Sequence, residues 1–186
     1  MRGVAGSRRW GAALAALALA TPQSATVAQS PRPAPAAPAA SPDRRVPEFA
    51  PDFSRADLAG RPVRLGAYRG KLVLLSFWAT WCEPCRSEAP RFSAWQREYG
   101  PRGLQVLGIS MDDDVAAATE FARALQLAYP VVMGDARLAE LFGGVLGLPL
   151  TFLIDPSGRI VARYRGEPDL DRVESELRAA LPARPR

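Results

Sequence analysis

Cys82 and Cys85 are the only cysteines in the sequence, and both lie in the segment FWATWCEPCRSE at 77–88. A pair with this spacing can bind a metal, attach a haem, form a structural disulfide or act as a redox couple. A metal site needs about four soft ligands, and the sequence contains no histidine, so metal binding would require a second chain. Haem attachment is excluded because it needs a histidine after the second cysteine, where the sequence has Arg86.

The pattern favours a redox couple over a structural disulfide. A bridge across so short a loop would stabilise the fold by only roughly 2 kcal/mol, less than a long-range bridge would. The sequence predicts that Cys82 lies where a helix begins, with Pro84 in the first turn, and unpaired backbone N–H groups there stabilise a thiolate. We therefore expect Cys82 to be the exposed, attacking thiol. Cys85, one turn further, then resolves the mixed disulfide without any cofactor.

The elements that must position this pair follow from the hydrophobic pattern. A nearly continuous apolar run at 71–78 predicts a central β-strand covered on both faces, and a helix is predicted after it over 84–99. Further strands are predicted at 61–65, at a sheet edge, and at 103–110, 129–133, 150–155 and 159–165, and further helices at 112–127, 136–142 and 170–181. The turn sequence DPSG joins the last two strands into a hairpin. This order predicts an α/β fold, a single domain with a central mixed β-sheet flanked by helices on both faces.

The N-terminal residues predict export. Residues 1–28 have the pattern of a signal peptide, in which arginines precede a short apolar stretch at 11–20. That stretch is too short to span a bilayer core of about 30 Å. An uncleaved N-terminal anchor, and with it a membrane tether, is the alternative. We expect a periplasmic or otherwise extracytoplasmic protein, in an oxidising compartment where a dithiol can cycle.

Composition divides the rest of the chain into a linker and one folded domain. Residues 29–47 are rich in proline and alanine, which predicts an extended linker, and the domain is predicted over 48–183. The formal charge of the whole chain is +5, but residues 48–183 contain 16 basic and 18 acidic side chains. The basic character therefore belongs to the terminal segments. Without a basic stripe on the domain, a nucleic acid is not expected as a partner.

Several segments resemble one known family. FWATWCEPC after a buried strand resembles the thioredoxin superfamily, and the wider pattern is similar to the exported TlpA/ResA-type thiol–disulfide oxidoreductases. The matching segments are APDF (50–53), YRGKLVLLSFWATWCEPCRSEAP (68–90), VLGIS (106–110), YPVV (129–132) and LGLPLTFLIDPSGRIV (146–161). The resemblance implies a thioredoxin-like fold for essentially the whole predicted domain.

The resemblance also implies a proton-transferring carboxylate. Glu88 matches an acidic residue that reducing members of the family place one turn after the second cysteine. On a helix, Glu88 shares a face with Cys85, and a partly buried carboxylate there can exchange protons with the inner thiol. The buried strand carboxylate of thioredoxin is absent, because Ser76 occupies its position.

A partner-binding surface is implied in the same way. Pro149 matches the family's cis-proline, which lies beside the dithiol and helps to seat the partner's extended chain. Trp81 matches the tryptophan that flanks the first cysteine, and Pro84 lies between the cysteines. Leu148 precedes Pro149, and Leu150 follows it where the family often has threonine, so we expect a more apolar groove.

The resemblance implies a reductase that acts on disulfides in exported apoproteins, notably during cytochrome c or copper-site assembly. Its electrons would come from a transmembrane thiol reductase. One alternative is a peroxiredoxin-like peroxidase, but this needs a threonine three residues before the attacking cysteine, where the sequence has Ala79. Another is a Cu(I)-delivery module that uses the two thiolates, although fold relatives with that task add a distant histidine. A redox-inert binding module is the third alternative.

Overall fold

The computed structural model describes residues 47–181, which fall within one compact unit. The predicted signal peptide at 1–28, the linker up to residue 46, and the last two residues of the predicted domain lie outside this range. Within it, no helix has both the length and the apolar character that crossing a membrane requires.

The core of the fold is a five-stranded mixed β-sheet with four helices. The strands are β1 (Ser54–Ala56), β2 (Pro62–Arg64), β3 (Leu72–Trp78), β4 (Leu104–Ser110), β5 (Val131–Met133), β6 (Leu150–Ile154) and β7 (Ile160–Arg165). The helices are α1 (Glu83–Tyr99), α2 (Val115–Ala124), α3 (Ala136–Leu141) and α4 (Leu170–Ala180). The sheet order is β5-β4-β3-β6-β7, in which β3, β4 and β5 are parallel and β6 and β7 form an antiparallel hairpin. This architecture confirms the predicted fold class.

Strand β3 is central because both of its faces are apolar. All seven of its residues are buried. Leu72, Leu74 and Trp78 join one hydrophobic cluster with α1, α2 and α4. The alternating residues Val73, Leu75 and Phe77 join a second cluster with α3 on the opposite face. Helices therefore cover both faces of the sheet, as the continuous apolar run predicts.

The strand predicted at 61–65 forms, but it does not belong to the main sheet. The observed strand, β2, covers the middle of the predicted range. It pairs with β1 in a separate two-stranded antiparallel sheet, with Arg55 opposite Val63. Strand β1 is absent from the sequence-based prediction. Because Val63 is the only buried residue of β2, this short hairpin packs one side chain onto the core and leaves the rest of β2 exposed.

Helix α2 buries the predicted face except for its first residue. The sequence spacing predicts that Val115, Ala118, Ala122 and Leu125 share the buried face. Ala118 is buried and Leu125 packs against the hydrophobic cluster, as predicted, whereas Val115 is 54% exposed and Phe121 is buried in addition. The physical reason is that Val115 is the first residue of the helix, directly after the N-cap Asp114, whose side chain accepts the Ala116 N–H at 2.8 Å.

Candidate active site

Cys82 and Cys85 form a disulfide, with their Cα atoms 5.3 Å apart. Cys82 is the N-cap residue of α1, and its Sγ accepts a hydrogen bond from the Cys85 N–H at 3.4 Å. Pro84 lies in the first turn, where its missing N–H costs no helical hydrogen bond. The prediction that both cysteines lie at the N-terminus of a helix is therefore confirmed.

The two sulfurs differ in position more than in exposure. Cys82 is expected to be exposed, but in the disulfide form Cys82 is only 5% exposed and Cys85 3%. The expectation of an exposed thiol is therefore wrong for this form. What distinguishes Cys82 is its place at the N-cap, where an amide N–H already points at its sulfur and would stabilise a thiolate.

The turn that leads from β3 into α1 is held by a buried carboxylate. Asp112 accepts hydrogen bonds from the backbone N–H of Thr80 at 3.0 Å, from its hydroxyl at 2.7 Å, and from the hydroxyl of Ser110 at 2.8 Å. On the other side of the turn, Arg86 donates to the Thr80 carbonyl at 3.4 Å. These contacts fix the chain two residues before Cys82.

Asp112 and Thr80 are not among the predicted site residues. Asp112 belongs to the run DDD at 112–114, where the predicted helix over 112–127 begins, and only Asp114 caps the observed helix. The signal that could have found Asp112 is its place directly after a buried parallel strand. The carboxyl ends of β3 and β4 lie side by side, with Trp78 opposite Ser110.

Glu88 is more deeply buried than the sequence suggests. It lies on the buried face of α1 with Cys85, it is 2% exposed, and its Oε1 has no hydrogen-bond partner among the described residues. Burial, with a smaller contribution from the negative charge of Glu167, raises the pKa of Glu88 to about 8. Near neutral pH this carboxyl group can therefore both donate and accept a proton.

Two aromatic side chains lie in the same buried cluster as the disulfide. Trp78 stacks on Phe121 with ring centroids 4.7 Å apart, and its Nε1 is buried without a partner among residues 47–181. Burial, and then the charge of Glu88, raise the pKa of the Tyr129 hydroxyl. A Cβ at Gly108 would lie 2.8 Å from Trp78 Nε1, so this glycine allows the indole to pack against β4. Neither aromatic residue was predicted to belong to the site.

Ser76 confirms that no carboxylate stands at the centre of β3. It lies opposite Thr151 of β6, whose hydroxyl donates to the Ser76 hydroxyl at 2.9 Å. This pair satisfies both buried hydroxyl groups across the sheet. The buried carboxyl group with a raised pKa therefore lies on α1, at Glu88, and not on β3.

The Leu148–Pro149 peptide bond is cis, as the resemblance implies. Strand β6 begins directly after it, with Leu150 opposite Phe77 near the carboxyl end of β3. This register places Pro149 at the same edge of the sheet as the turn that leads to Cys82. Leu148 packs against both hydrophobic clusters, one of which contains the two cysteines. Trp81 is 72% exposed at this edge, and Pro84 is half-buried.

Residues 47–181 contain no group of three or more histidine, cysteine, aspartate or glutamate side chains placed to hold a metal ion. That the cysteine pair works without a cofactor stays a prediction.

Comparisons with known proteins place this geometry in a family. The sequence matches the model of the AhpC/TSA family over residues 46–163. Thiol-disulfide oxidoreductase ResA of Bacillus thuringiensis subsp. konkukian (strain 97-27) is 32% identical over 133 residues, which cover 72% of this chain and 77% of that protein. ResA of Geobacillus thermodenitrificans (strain NG80-2) is 35% identical over 137 residues, 74% of this chain and 79% of that protein. The chain belongs to the ResA-type thiol–disulfide oxidoreductases within this family.

A solved structure supports the same assignment. A thioredoxin family protein of Chlorobium tepidum TLS, a thiol:disulfide interchange protein, is 30% identical and superposes with a TM-score of 0.68. The match covers 73% of this chain and 97% of the other. The thioredoxin-like fold is thereby confirmed, and the protein is an enzyme of thiol–disulfide exchange, with the ResA-type cysteine pair at the start of α1.

Proposed function

We propose that the protein is a protein-disulfide reductase that acts on exported apoproteins. The observation that carries this proposal is the Cys82–Cys85 disulfide at the N-terminus of α1, with a buried carboxyl group, Glu88, on the same helix face. Once the pair is reduced, this environment stabilises the Cys82 thiolate and places a proton carrier near Cys85, and both favour thiol–disulfide exchange.

The reaction starts from the reduced pair. The Cys82 thiolate attacks one sulfur of the substrate disulfide, which forms a mixed disulfide and releases the first substrate sulfur as a thiolate. Cys85 then loses its proton, and its thiolate attacks the Cys82 sulfur. This second attack releases the other substrate sulfur and forms the Cys82–Cys85 disulfide. Two electrons pass from the protein to the substrate.

Glu88 is the group that accepts the Cys85 proton in this proposal. It lies one turn after Cys85 on the buried face of α1. With a pKa of about 8, a part of the Glu88 population is ionised at neutral pH and can remove a thiol proton. In the reverse direction, the protonated form returns the proton to the leaving sulfur.

Four residues around the disulfide form the proposed substrate-binding surface. Trp81 is exposed next to Cys82, and Pro84 shapes the first turn of α1. Leu148 and the cis-proline Pro149 lie across from them at the start of β6. An extended segment of the substrate would lie along this edge of the sheet.

The cellular setting is inferred from the family and from the N-terminal sequence. Residues 1–28 would direct the protein to the periplasm or another extracytoplasmic compartment, and a retained signal would tether it to the membrane. The substrates would be disulfide-containing apoproteins of cytochrome c or copper-site assembly, and a transmembrane thiol reductase would supply electrons. The ResA name of the relatives and the cysteine pair support this proposal.

The reduction potential of the cysteine pair tests the direction of electron flow. Equilibration with glutathione buffers of known ratio, followed by alkylation of free thiols, measures it. We expect a potential close to that of thioredoxin, about −270 mV, and not close to that of the oxidant DsbA, about −120 mV. A value near the oxidant would mean that the protein introduces disulfides. Consumption of hydrogen peroxide by the reduced protein would instead favour the peroxidase.

A further inference from the structure

Arg86 lies one helical turn after Cys82. Its backbone N–H donates to the Cys82 carbonyl at 3.2 Å, across the first turn of α1. Side chains on a helix lean towards its N-terminus, and residues four apart lie on the same side of it. The Arg86 side chain is therefore expected to extend back towards the N-cap, and the contacts of its guanidinium group show that it does.

Three contacts hold this guanidinium group over the turn that precedes α1. It donates to the carbonyl of Thr80, two residues before Cys82, at 3.4 Å. Its carbon lies 5.4 Å from the centroid of the Phe121 ring, which belongs to the same buried cluster as Cys82. The third contact is with Glu83 at 3.7 Å. Although the Arg86 side chain is 49% exposed, its charge is thus held beside the start of the helix.

A cation in this place is electrostatically unfavourable while the disulfide is closed. Unpaired N–H groups give a helix N-terminus a partial positive charge, which favours anions and disfavours cations. Glu83 offsets the Arg86 charge in part, but its side chain is 90% exposed, and exposed ion pairs contribute little. Reduction of the disulfide creates an anion that can balance both positive charges, namely the thiolate of Cys82.

Three carboxyl groups also lie around the cysteine pair. Glu83 follows Cys82 directly, and Glu88 lies further along α1 on its buried face. Asp112 lies on the other side of the turn before Cys82, where it accepts hydrogen bonds. Each of these groups disfavours a thiolate when it is ionised, because like charges repel. Arg86 supplies a positive charge that opposes them.

We propose that Arg86 is a positioning residue, whose guanidinium group stabilises the thiolate that forms on Cys82 when the disulfide is reduced. The inference rests on the proposed function, because it takes Cys82 as the attacking cysteine. A neighbouring cation increases the ionised fraction of a thiol near neutral pH, and the thiolate is the nucleophile of exchange. The contacts with Thr80 and Phe121 keep the charge in place.

The test measures the ionisation of Cys82 directly. Cys85→Ala leaves one thiol, and its rate of alkylation by iodoacetamide between about pH 4 and about pH 9 follows the thiolate fraction. Iodoacetamide is uncharged, so its approach does not depend on the charge at position 86. Adding Arg86→Gln to Cys85→Ala should lower the rate about threefold on the rising part of the profile. The midpoint should move upward by about 0.5 pH, as expected for one charge in largely aqueous surroundings.

Two further variants, in the same Cys85→Ala protein, separate charge from contacts and from overall charge. Arg86→Lys keeps the charge without the planar guanidinium group, so it should retain more than about half of the rate. Arg97→Gln removes a charge from the last turn of α1, where Arg97 donates to the carbonyl of Gln126 at 3.0 Å, and it should leave the profile unchanged. A loss in either variant equal to that in Arg86→Gln would overturn the proposal.

Ionic strength provides a readout that a purely structural role would not change. The Debye length falls from about 10 Å at about 0.1 M salt to about 3 Å at about 1 M. The difference between the proteins with and without Arg86→Gln should therefore shrink at the higher salt concentration. A difference of the same size at both concentrations would mean that the charge of Arg86 is not what acts on Cys82, and would contradict the inference.

Reduction of a peptide disulfide by the reduced full-length protein separates this inference from the proposed function. An alkylation profile that depends on Arg86, in a protein that reduces no disulfide, would sustain the role of Arg86 and contradict the reductase. Reduction of the peptide together with an alkylation profile that Arg86→Gln leaves unchanged would do the reverse.

Discussion

Glu88 places a carboxyl group inside an apolar cluster, where its charged form is disfavoured. The side chain is 2% exposed, and one of its oxygens has no partner among the described residues. Glu167 adds a negative charge nearby, so the pKa rises to about 8. A buried group with a pKa this close to neutrality is better suited to proton transfer than an exposed glutamate.

Replacing Glu88 with glutamine should slow thiol–disulfide exchange. The amide has a similar shape but cannot accept the Cys85 proton, so we expect a loss of about 100-fold, the low end of the range for general acid–base catalysis. The wild-type rate should also change with an inflection near the Glu88 pKa of about 8, and this inflection should vanish in the variant. Stopped-flow reduction of a peptide disulfide between about pH 6 and about pH 10 measures both effects.

Glu83 provides the matched control for that experiment. It lies in the same helical turn as Cys85 but is exposed, and it pairs with Arg86 at 3.7 Å. Glu83→Gln should keep the rate within about twofold, as expected for a solvated surface charge. If Glu83→Gln and Glu88→Gln slowed exchange equally, Glu88 would have no special role.

The stability of the protein should depend on pH through the same residue. The pKa of Glu88 rises from 4.5 in the unfolded chain to about 8 in the fold. Between these values the folded state keeps a proton that the unfolded state has lost, so the free energy of unfolding falls as pH rises through this window. The loss should be on the order of a few kcal/mol. Urea unfolding of the oxidised protein at about pH 5 and about pH 9 measures it.

Glu88→Gln should remove this part of the pH dependence. The glutamine side chain does not titrate, so the difference in unfolding free energy between the two pH values should shrink by that amount. An unchanged difference in the variant would mean that the Glu88 carboxyl group is not held in its neutral form.

At the scale of elements, the ends of three strands position the site. β3 ends at Trp78, β4 ends opposite it at Ser110, and β6 starts after the cis-proline Pro149. Asp112 bridges the first two ends through Thr80 and Ser110. The start of α1 is therefore fixed by the hydrogen bonds that Thr80 donates to Asp112, just after β4, as well as by its own N-cap.

Removing the Asp112 side chain should loosen this turn. In Asp112→Ala, the Thr80 N–H and hydroxyl lose their acceptor, which should destabilise the fold by about 1–3 kcal/mol. Exchange should slow at the same time, because Cys82 follows this turn. Denaturant unfolding and stopped-flow exchange measure the two effects. Asp113→Ala is the control, since Asp113 is exposed and should stay near the wild type; a wild-type rate in Asp112→Ala would show that the turn positions nothing.

Contacts between separate elements explain why part of the site could not be predicted from the sequence. Strand β3 and helix α1 follow from local patterns, a continuous apolar run and a helix start at a cysteine. The contact of Asp112 with Thr80 joins residues 32 apart, and the sequence marks it only through the position of Asp112 just after a buried strand. Arg163 of β7 donates to the carbonyl of Gly144, which lies 19 residues earlier, between α3 and β6. The site was thus predictable where one segment builds it, and unpredictable where separate elements meet.

At the scale of the whole molecule, the sheet order brings together segments that are far apart in sequence. Because β6 is antiparallel to β3, the loop before β6 meets the turn after β3. The cis-proline loop, the cysteine pair and the end of β4 thus share one edge. The family resemblance supplies the role of Pro149, and the register explains how Pro149 reaches the site.

In the proposed reaction, Cys82 attacks the substrate disulfide and Cys85 resolves the mixed disulfide. This order is tested most directly by mixing reduced Cys85→Ala and Cys82→Ala proteins separately with a peptide disulfide and determining the adducts by mass spectrometry. We expect Cys85→Ala to retain the peptide on Cys82 as a stable mixed disulfide, because no second thiol can release it, and Cys82→Ala to capture little. Capture by Cys82→Ala with none by Cys85→Ala would contradict this account.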